Sequence, residues 1–217
     1  MSDLDVLERL VGVSGKDVVD IGCGAGVSSR IFSEAGFSVL GVELSGPLIE
    51  HARKAAPRAE FIQASAYDIE LPDCAAIVAL GEALTYHDDL GAADDLVRGF
   101  FGAAQIALAR GGLLAFDMIV TGEPNLTGKT WALGEDWTVL VEVTEDQSRR
   151  ALVREIEVFR AQSAHYRRSR ERHLVRLFDS GDLFAWLSDL GFDVEMREAY
   201  GDYRLLPRRI AVTARRT

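Results

Sequence analysis

Three glycines at alternate positions, Gly22, Gly24 and Gly26, follow the run Val18-Val19-Asp20-Ile21. A β-branched run that ends in alternating glycines and leads into a helical pattern from Val27 describes three things in order. They are a buried parallel strand, a tight turn, and a helix whose N-terminus faces whatever lies above the sheet edge. Glycine suits such a turn because it adopts left-handed backbone and lets a ligand touch bare main chain. The chemistry is that of a nucleotide-like cofactor loop. Reactive side chains gather in two further places. Glu82, Tyr86 and His87 follow the apolar run 75–80, and Glu171 and His173 sit in an arginine-rich stretch. Imidazole titrates near neutrality and suits a general base, so Glu82, His87 and His173 are the candidate proton acceptors. The plain alternative for His87 is a surface-loop residue beside Asp88 and Asp89. For Glu171 and His173 it is a structural pair tying an extension to the core.

The elements that must position these groups follow from periodicity. Strands are expected at 17–21, 37–42, 59–64, 75–80 and 113–119. Helices are expected at 27–35, stopped by Gly36; from Ser45-Gly46-Pro47 to Ala56, before Pro57; and at 89–110, closed by Gly111-Gly112. A short amphipathic helix through Leu4, Leu7, Leu10 and Val11 precedes them. This alternation predicts an α/β fold with a doubly wound, mostly parallel, Rossmann-like sheet. Residues 121–136 carry Gly, Pro, Asn and Thr and read as a loop. Three β-prone runs, 137–145, 151–160 and 165–178, predict an antiparallel β extension or flap. A helix at 182–190 and strands at 192–195 and 209–214 bring the sheet to seven strands. The expectation is one domain, 1–217, with the loop and flap of 121–178 inserted. Strand alternation puts Glu171 and His173 with Val175 and Leu177 on an inward face, and Arg168, Arg170, Arg172 and Arg176 opposite. That arginine face reads as a solvated surface or a homodimer contact, and less readily as a binding site for phosphate or carboxylate.

Composition narrows the classes. The chain has 217 residues, 48% hydrophobic and 27% charged, which describes an ordinary globular protein. A net charge of −10 argues against a nucleic-acid partner, whose affinity would rest on phosphate neutralisation. No apolar run approaches the roughly 20 residues of a membrane span, and the N-terminus lacks the basic flank and apolar run of a secretory signal. Two distant cysteines, Cys23 and Cys74, point to a reducing cytoplasm. The histidines at 51, 87, 165 and 173 lack metal-ligand spacing, so no metal is expected.

The glycine spacing separates two cofactors. A dinucleotide loop requires Gly-x-Gly-x-x-Gly, whereas here Val27 occupies the last position of that pattern. Asp20 also stands where a carboxylate would repel a pyrophosphate, and it suits a cationic ligand better. Asp-x-Gly-x-Gly-x-Gly over Asp20, Gly22, Cys23, Gly24 and Gly26 resembles the loop of the class I S-adenosylmethionine-dependent methyltransferases. The resemblance implies that Glu43, with Leu44 beside it, takes both ribose hydroxyls, and that the segment 61–68 lines the adenine. Many members carry Asp where Ser65 stands, so the adenine contact falls to the Ala66 backbone or to Asp68. Leu80 and Gly81 match the end of the fourth strand, beside the methionine moiety and the transferable methyl. A reversed last strand near Ile210 belongs to the same pattern. Asp20 keeps a second reading, as an acid that stabilises the loop without meeting ligand. The resemblance implies methyl transfer from S-adenosylmethionine to a nitrogen or oxygen of a small-molecule acceptor. An NAD-dependent oxidoreductase and a catalytically silent cofactor-binding module are the alternatives.

Overall fold

A computed structural model describes residues 15–87 and 89–217; the expected helix through Leu4 and Val11 lies outside them. Its first half alternates strands and helices, as the hydrophobic periods dictate. β1 (Asp17–Ile21), α1 (Val27–Glu34), β2 (Ser38–Glu43), α2 (Gly46–Ala55), β3 (Glu60–Gln63) and β4 (Cys74–Ala79) are followed by α3 (Ala93–Ala107) and β5 (Leu108–Ile119). An antiparallel sheet then inserts, made of β6 (Gly128–Leu133), β7 (Trp137–Asp146), β8 (Ala151–Gln162) and β9 (His165–Arg176). The chain returns through α4 (Ser180–Asp189), β10 (Phe192–Arg197), the short hairpin β11 (Ala199–Tyr200) and β12 (Tyr203–Arg204), and β13 (Arg209–Arg216).

The main sheet has seven strands in the order β10-β13-β5-β4-β1-β2-β3, and the inserted sheet has four in the order β6-β7-β8-β9. β1 to β5 pair in parallel, and only β13 runs against them, between β5 and β10. The expected α/β sheet with a reversed last strand is therefore present. Strand order reverses between β1 and β4, so a crevice opens outside their carboxyl ends, where open α/β sheets take ligands. β4 is buried along its whole length, as a central strand covered by helices on both faces must be. On one face Phe101 and Phe116 meet at 5.3 Å between ring centroids and anchor α3.

Several expected boundaries differ, three of them with a local cause. The fifth strand begins at Leu108, and Gly111-Gly112 lies within it instead of capping a helix. The pairing with β4 shifts register there, from Cys74 opposite Leu108 to Ala76 opposite Leu113. A Cβ at position 112 would sit 2.7 Å from the Ala109 carbonyl oxygen, so the glycine accommodates a bulge. The segment 121–136, read as loop, contains β6, because its β-prone Lys-Thr-Trp-Ala-Leu run is short and flanked by turn residues. α4 begins at Ser180, where the Asp179 carboxylate accepts the N–H groups of Gly181 and Asp182.

Helices α1 and α2 touch through a glycine. Gly26 caps α1 at φ +83°, and a Cβ there would lie 2.8 Å from the Ala52 Cα in α2. Gly26→Ala therefore combines backbone strain with an overpacked helix contact. Urea unfolding should show a loss of about 2–4 kcal/mol; an unchanged midpoint would contradict the close approach.

Candidate active site

The glycine loop is clamped onto the tip of β2. The N–H groups of Gly22 and Cys23 both donate to the Val42 carbonyl, at 2.8 and 3.1 Å. Asp20, only 1% exposed, faces inward and accepts the Ser28 and Ser29 hydroxyls at 3.0 and 2.6 Å. Its geometry is that of an acid holding the first turn of α1. Cys23 is buried, and burial first, then the Asp20 and Glu43 charges, push its thiol up to about 12. A thiol so held is inert packing.

Above this loop lies the rim of the crevice. Glu43 ends β2 and accepts the Gly24 N–H on one oxygen at 3.0 Å and the Ser45 N–H on the other at 2.9 Å. Each oxygen keeps one lone pair beyond these bonds. At Gly24 and Gly81, both in left-handed backbone, a Cβ would meet nothing within 4 Å, so the two loops present bare main chain to open space. Leu44, 68% exposed, and Ile62 add uncovered apolar surface beside the carboxylate. Ser65 Oγ accepts the Tyr67 N–H at 3.1 Å and shapes the adjacent turn, and Ala66 and Tyr67 pack against the core. Leu80 is partly buried and packs against the core.

The loop after β4 is held by a residue that the sequence did not single out. Asp117, near the end of β5, accepts the Gly81 N–H at 2.9 Å, the Glu82 N–H at 2.6 Å and the Tyr200 hydroxyl at 2.8 Å. Burial raises its carboxyl above the ordinary range, against the pull of these three donors. Gly81 and Glu82 are both left-handed, at φ 75° and 65°. Glu82 Oε2 accepts Arg154 of β8 at 3.0 Å, and Oε1 accepts Arg209 of β13. Arg154 also donates to the Tyr86 hydroxyl at 2.9 Å, and Tyr86 bridges to Val175 of β9. The expectation of Glu82 as a base is corrected here, because two guanidinium groups occupy both of its oxygens.

His87 is also corrected, since it is neither a surface residue nor open to an acceptor. It is 6% exposed, stacks on Tyr67 at 5.1 Å between ring centroids, and places Nε2 3.1 Å from the Leu84 carbonyl. The loop folds back so far that the His87 N–H donates to Leu174 of β9. Tyr67 donates its hydroxyl to the same Leu84 carbonyl, and burial pushes its phenol above the ordinary range.

Glu171 and His173 do pair, at 3.2 Å through Nε2, but their side chains are 59% and 33% exposed and not interior. Only the base of that sheet face packs on the core, at Leu152, Val175 and Val143. His173 stands edge-on to Tyr86 at 5.4 Å, and its Nδ1 is sealed from solvent with no hydrogen-bond partner. Arg168 and Arg170 pair across strands with Glu157 and Glu155, and Arg176 turns inward to a two-point contact with Asp94. A signal for Asp117 existed in its position, an acid inside the apolar run Leu114-Ala115-Phe116-Asp117-Met118. Arg154 and Arg209 had none, because only strand register brings them to Glu82.

Residues 18–100 match the family model of a methyltransferase domain. A malonyl-[acyl-carrier protein] O-methyltransferase of Serratia marcescens is 27% identical over 133 residues, 58% of this chain and 49% of that protein. The chain spans about half the length, or less, of the curated relatives it matches. Among solved structures, an S-adenosylmethionine-dependent methyltransferase from Clostridium acetobutylicum superposes with a TM-score of 0.85 at 16% identity, covering 99% of this chain and 90% of that one. An amino pentose methyltransferase from Micromonospora echinaspora, solved with S-adenosylmethionine bound, gives 0.77 at 21% identity, covering 98% and 89%. At these identities the structural likeness establishes a shared fold.

The raised carboxyl of Asp117 has a pH consequence. Between the ordinary carboxyl value and its raised folded value, the native state binds more protons than the unfolded chain, so this group's contribution to stability falls as pH rises. Asp117→Asn should remove that slope from the difference between variant and wild-type stability, measured by urea melts from pH 4 to 7. An identical pH dependence in both proteins would show that Asp117 is not the buried proton-binding group.

Proposed function

We propose that this chain, which carries a methyltransferase domain over residues 18–100 and has the class I fold, transfers a methyl group from S-adenosylmethionine to a nitrogen or oxygen of a small-molecule acceptor. The observation that carries this reading is the rim formed by Gly24, Gly81 and Glu43. Bare backbone lines an open space there, and one carboxylate keeps a free lone pair on each oxygen, the acceptor pair that a vicinal diol requires. Exposed Leu44 and Ile62 offer the apolar surface that an adenine would cover. When bound, the cofactor supplies a methyl group on a positively charged sulfur. The residues of the chain then hold the nucleophile in line and keep water out, which accounts for about 7–11 kcal/mol of barrier reduction without acid or base.

Where the acceptor must lose a proton, His173 is the residue assigned to take it. The Glu171 carboxylate, 3.2 Å from Nε2, orients the ring for that role. Glu82 acts through Arg154 and Arg209 as a positioning residue, and His87 as packing. The acceptor is a small molecule and not nucleic acid, in keeping with the net charge of −10. No helix among the described residues is long and apolar enough to cross a membrane. The two unpaired cysteines favour a cytoplasmic setting. Any homodimer forms through the outer flap face, where Trp131, Leu133 and Leu140 are exposed.

Titration calorimetry tests the cofactor. S-Adenosylhomocysteine should bind the wild type, NADH should not compete, and Glu43→Ala should weaken binding about 10- to 100-fold, the worth of one or two hydrogen bonds to a charged group. No binding up to millimolar concentration, or displacement by NADH, would contradict the reading. Retained binding with no label transfer to any acceptor would leave a silent binding module in its place.

A second experiment addresses the base. Once label transfer from the cofactor has found an acceptor, His173→Gln should lower kcat by about 100-fold with KM for the cofactor unchanged. A kcat that stays at the wild-type value in this variant removes His173 from the proton path.

A further inference from the structure

The two faces of the inserted sheet differ in what they leave uncovered. Strand register stacks the inner face in rows. Leu152 and Val175 form the lowest row, fully buried against Ile119. Val143, Arg154 and His173 form the next, where Arg154 reaches Glu82 and Tyr86. Val141 and Ile156 come above them beside Glu171, and Val139 and Val158 above those beside Ser169. Two residues along a strand advance about 6.8 Å, so these two aliphatic rows extend roughly 14 Å outward from the Arg154 row. Trp137 stands at the far end, in register with Arg160.

All four aliphatic side chains are half-buried, yet none belongs to a packed apolar cluster among the described residues. The opposite face is crossed by the ion pairs of Lys129 with Glu142, Arg170 with Glu155 and Arg168 with Glu157, and its exposed Trp131, Leu133 and Leu140 stand among these charges. The inner strip is thus an apolar surface continuous, through Arg154, with the loop that carries Gly81 and Glu82.

We propose that this strip binds the body of the acceptor, and that the acceptor is an elongated apolar molecule, an aryl or acyl chain of up to roughly 14 Å, whose nucleophilic atom is held at the Arg154–His173 row. The proposal rests on the methyltransferase reading and names its substrate class. On these rows hydrogen-bonding side chains stand only along the β9 edge, at Ser169 and Glu171, so a compact polyhydroxylated acceptor would bury most of its hydroxyls against Val139, Val141, Ile156 and Val158 without partners, which is costly. The row that begins the strip is the one fixed to the β4 loop, which favours a molecule that enters the crevice over a second copy of the chain.

The test uses the full chain saturated with S-adenosylhomocysteine and a series of 4-alkylphenols from methyl to hexyl, with binding followed by calorimetry. Affinity should rise about threefold to fourfold per methylene. Ile156→Glu, and the milder Val158→Thr, should weaken hexylphenol binding, the former by more than tenfold, while both keep wild-type affinity for S-adenosylhomocysteine. Leu140→Glu, on the outer face, should change neither. A flat series would overturn the proposal, as would an Ile156→Glu variant that binds hexylphenol like the wild type. Sedimentation showing a wild-type dimer that Ile156→Glu splits would assign the strip to a second copy instead. Failure of the wild type to bind S-adenosylhomocysteine would instead remove the methyltransferase reading on which the proposal stands.

Discussion

One buried carboxylate holds the loop on which the rest of the site is assembled. Asp117 accepts both the Gly81 and the Glu82 N–H and so fixes two consecutive left-handed residues, one of them not glycine. A left-handed non-glycine residue costs about 1–2 kcal/mol, whereas each hydrogen bond to a charged group contributes about 1.5–3 kcal/mol. The two bonds outweigh the strain, and the loop stays in the conformation that presents bare Gly81 to the crevice. Its placement also aims the Glu82 side chain at Arg154 and Arg209, which joins the inserted sheet to the reversed strand of the main sheet. Removing Glu82 would leave two little-exposed guanidinium groups without their shared carboxylate, the costly case for an ion pair.

The part of this arrangement legible in the sequence is the part encoded locally. The run from Val18 to Gly26 declares strand, turn and helix through residue type and period alone, and Glu43 lies where a strand of the expected length must end. The reversed strand came with the family resemblance, and the structure has it. Asp117 was hidden because an acid within an apolar run reads as an ordinary strand residue until its donors are known. Those donors come from loops 36 and 83 residues away in sequence. Arg154 and Arg209 were hidden for the same reason, since register decides what a strand residue meets. His87 was misjudged because nothing local states that the loop folds back onto β9 and stacks the ring on Tyr67.

The inserted sheet shows how alternation can be read correctly and still mislead about burial. The arginines and Glu171–His173 do fall on opposite faces, as the period of two requires. Burial does not follow from the face alone, because the core reaches only the lowest row of the inner one and Val143 of the next. Beyond that row the same face passes from packing to an open surface, and His173 stands at the boundary with one nitrogen held by Glu171 and the other without a partner. The arginines on the outer face meet glutamates of the neighbouring strand, which accounts for their density without a ligand.

The rim of Gly24, Glu43 and Gly81 is the proposed cofactor site. A crystal structure of the chain grown with S-adenosylhomocysteine tests it most directly. The expected density places the ribose hydroxyls on the Glu43 carboxylate and the thioether sulfur beside Gly81, with the adenine against Ile62 and the turn at Ser65. Density for the ligand elsewhere, or a Glu43 carboxylate that makes no contact with the ribose, would contradict it.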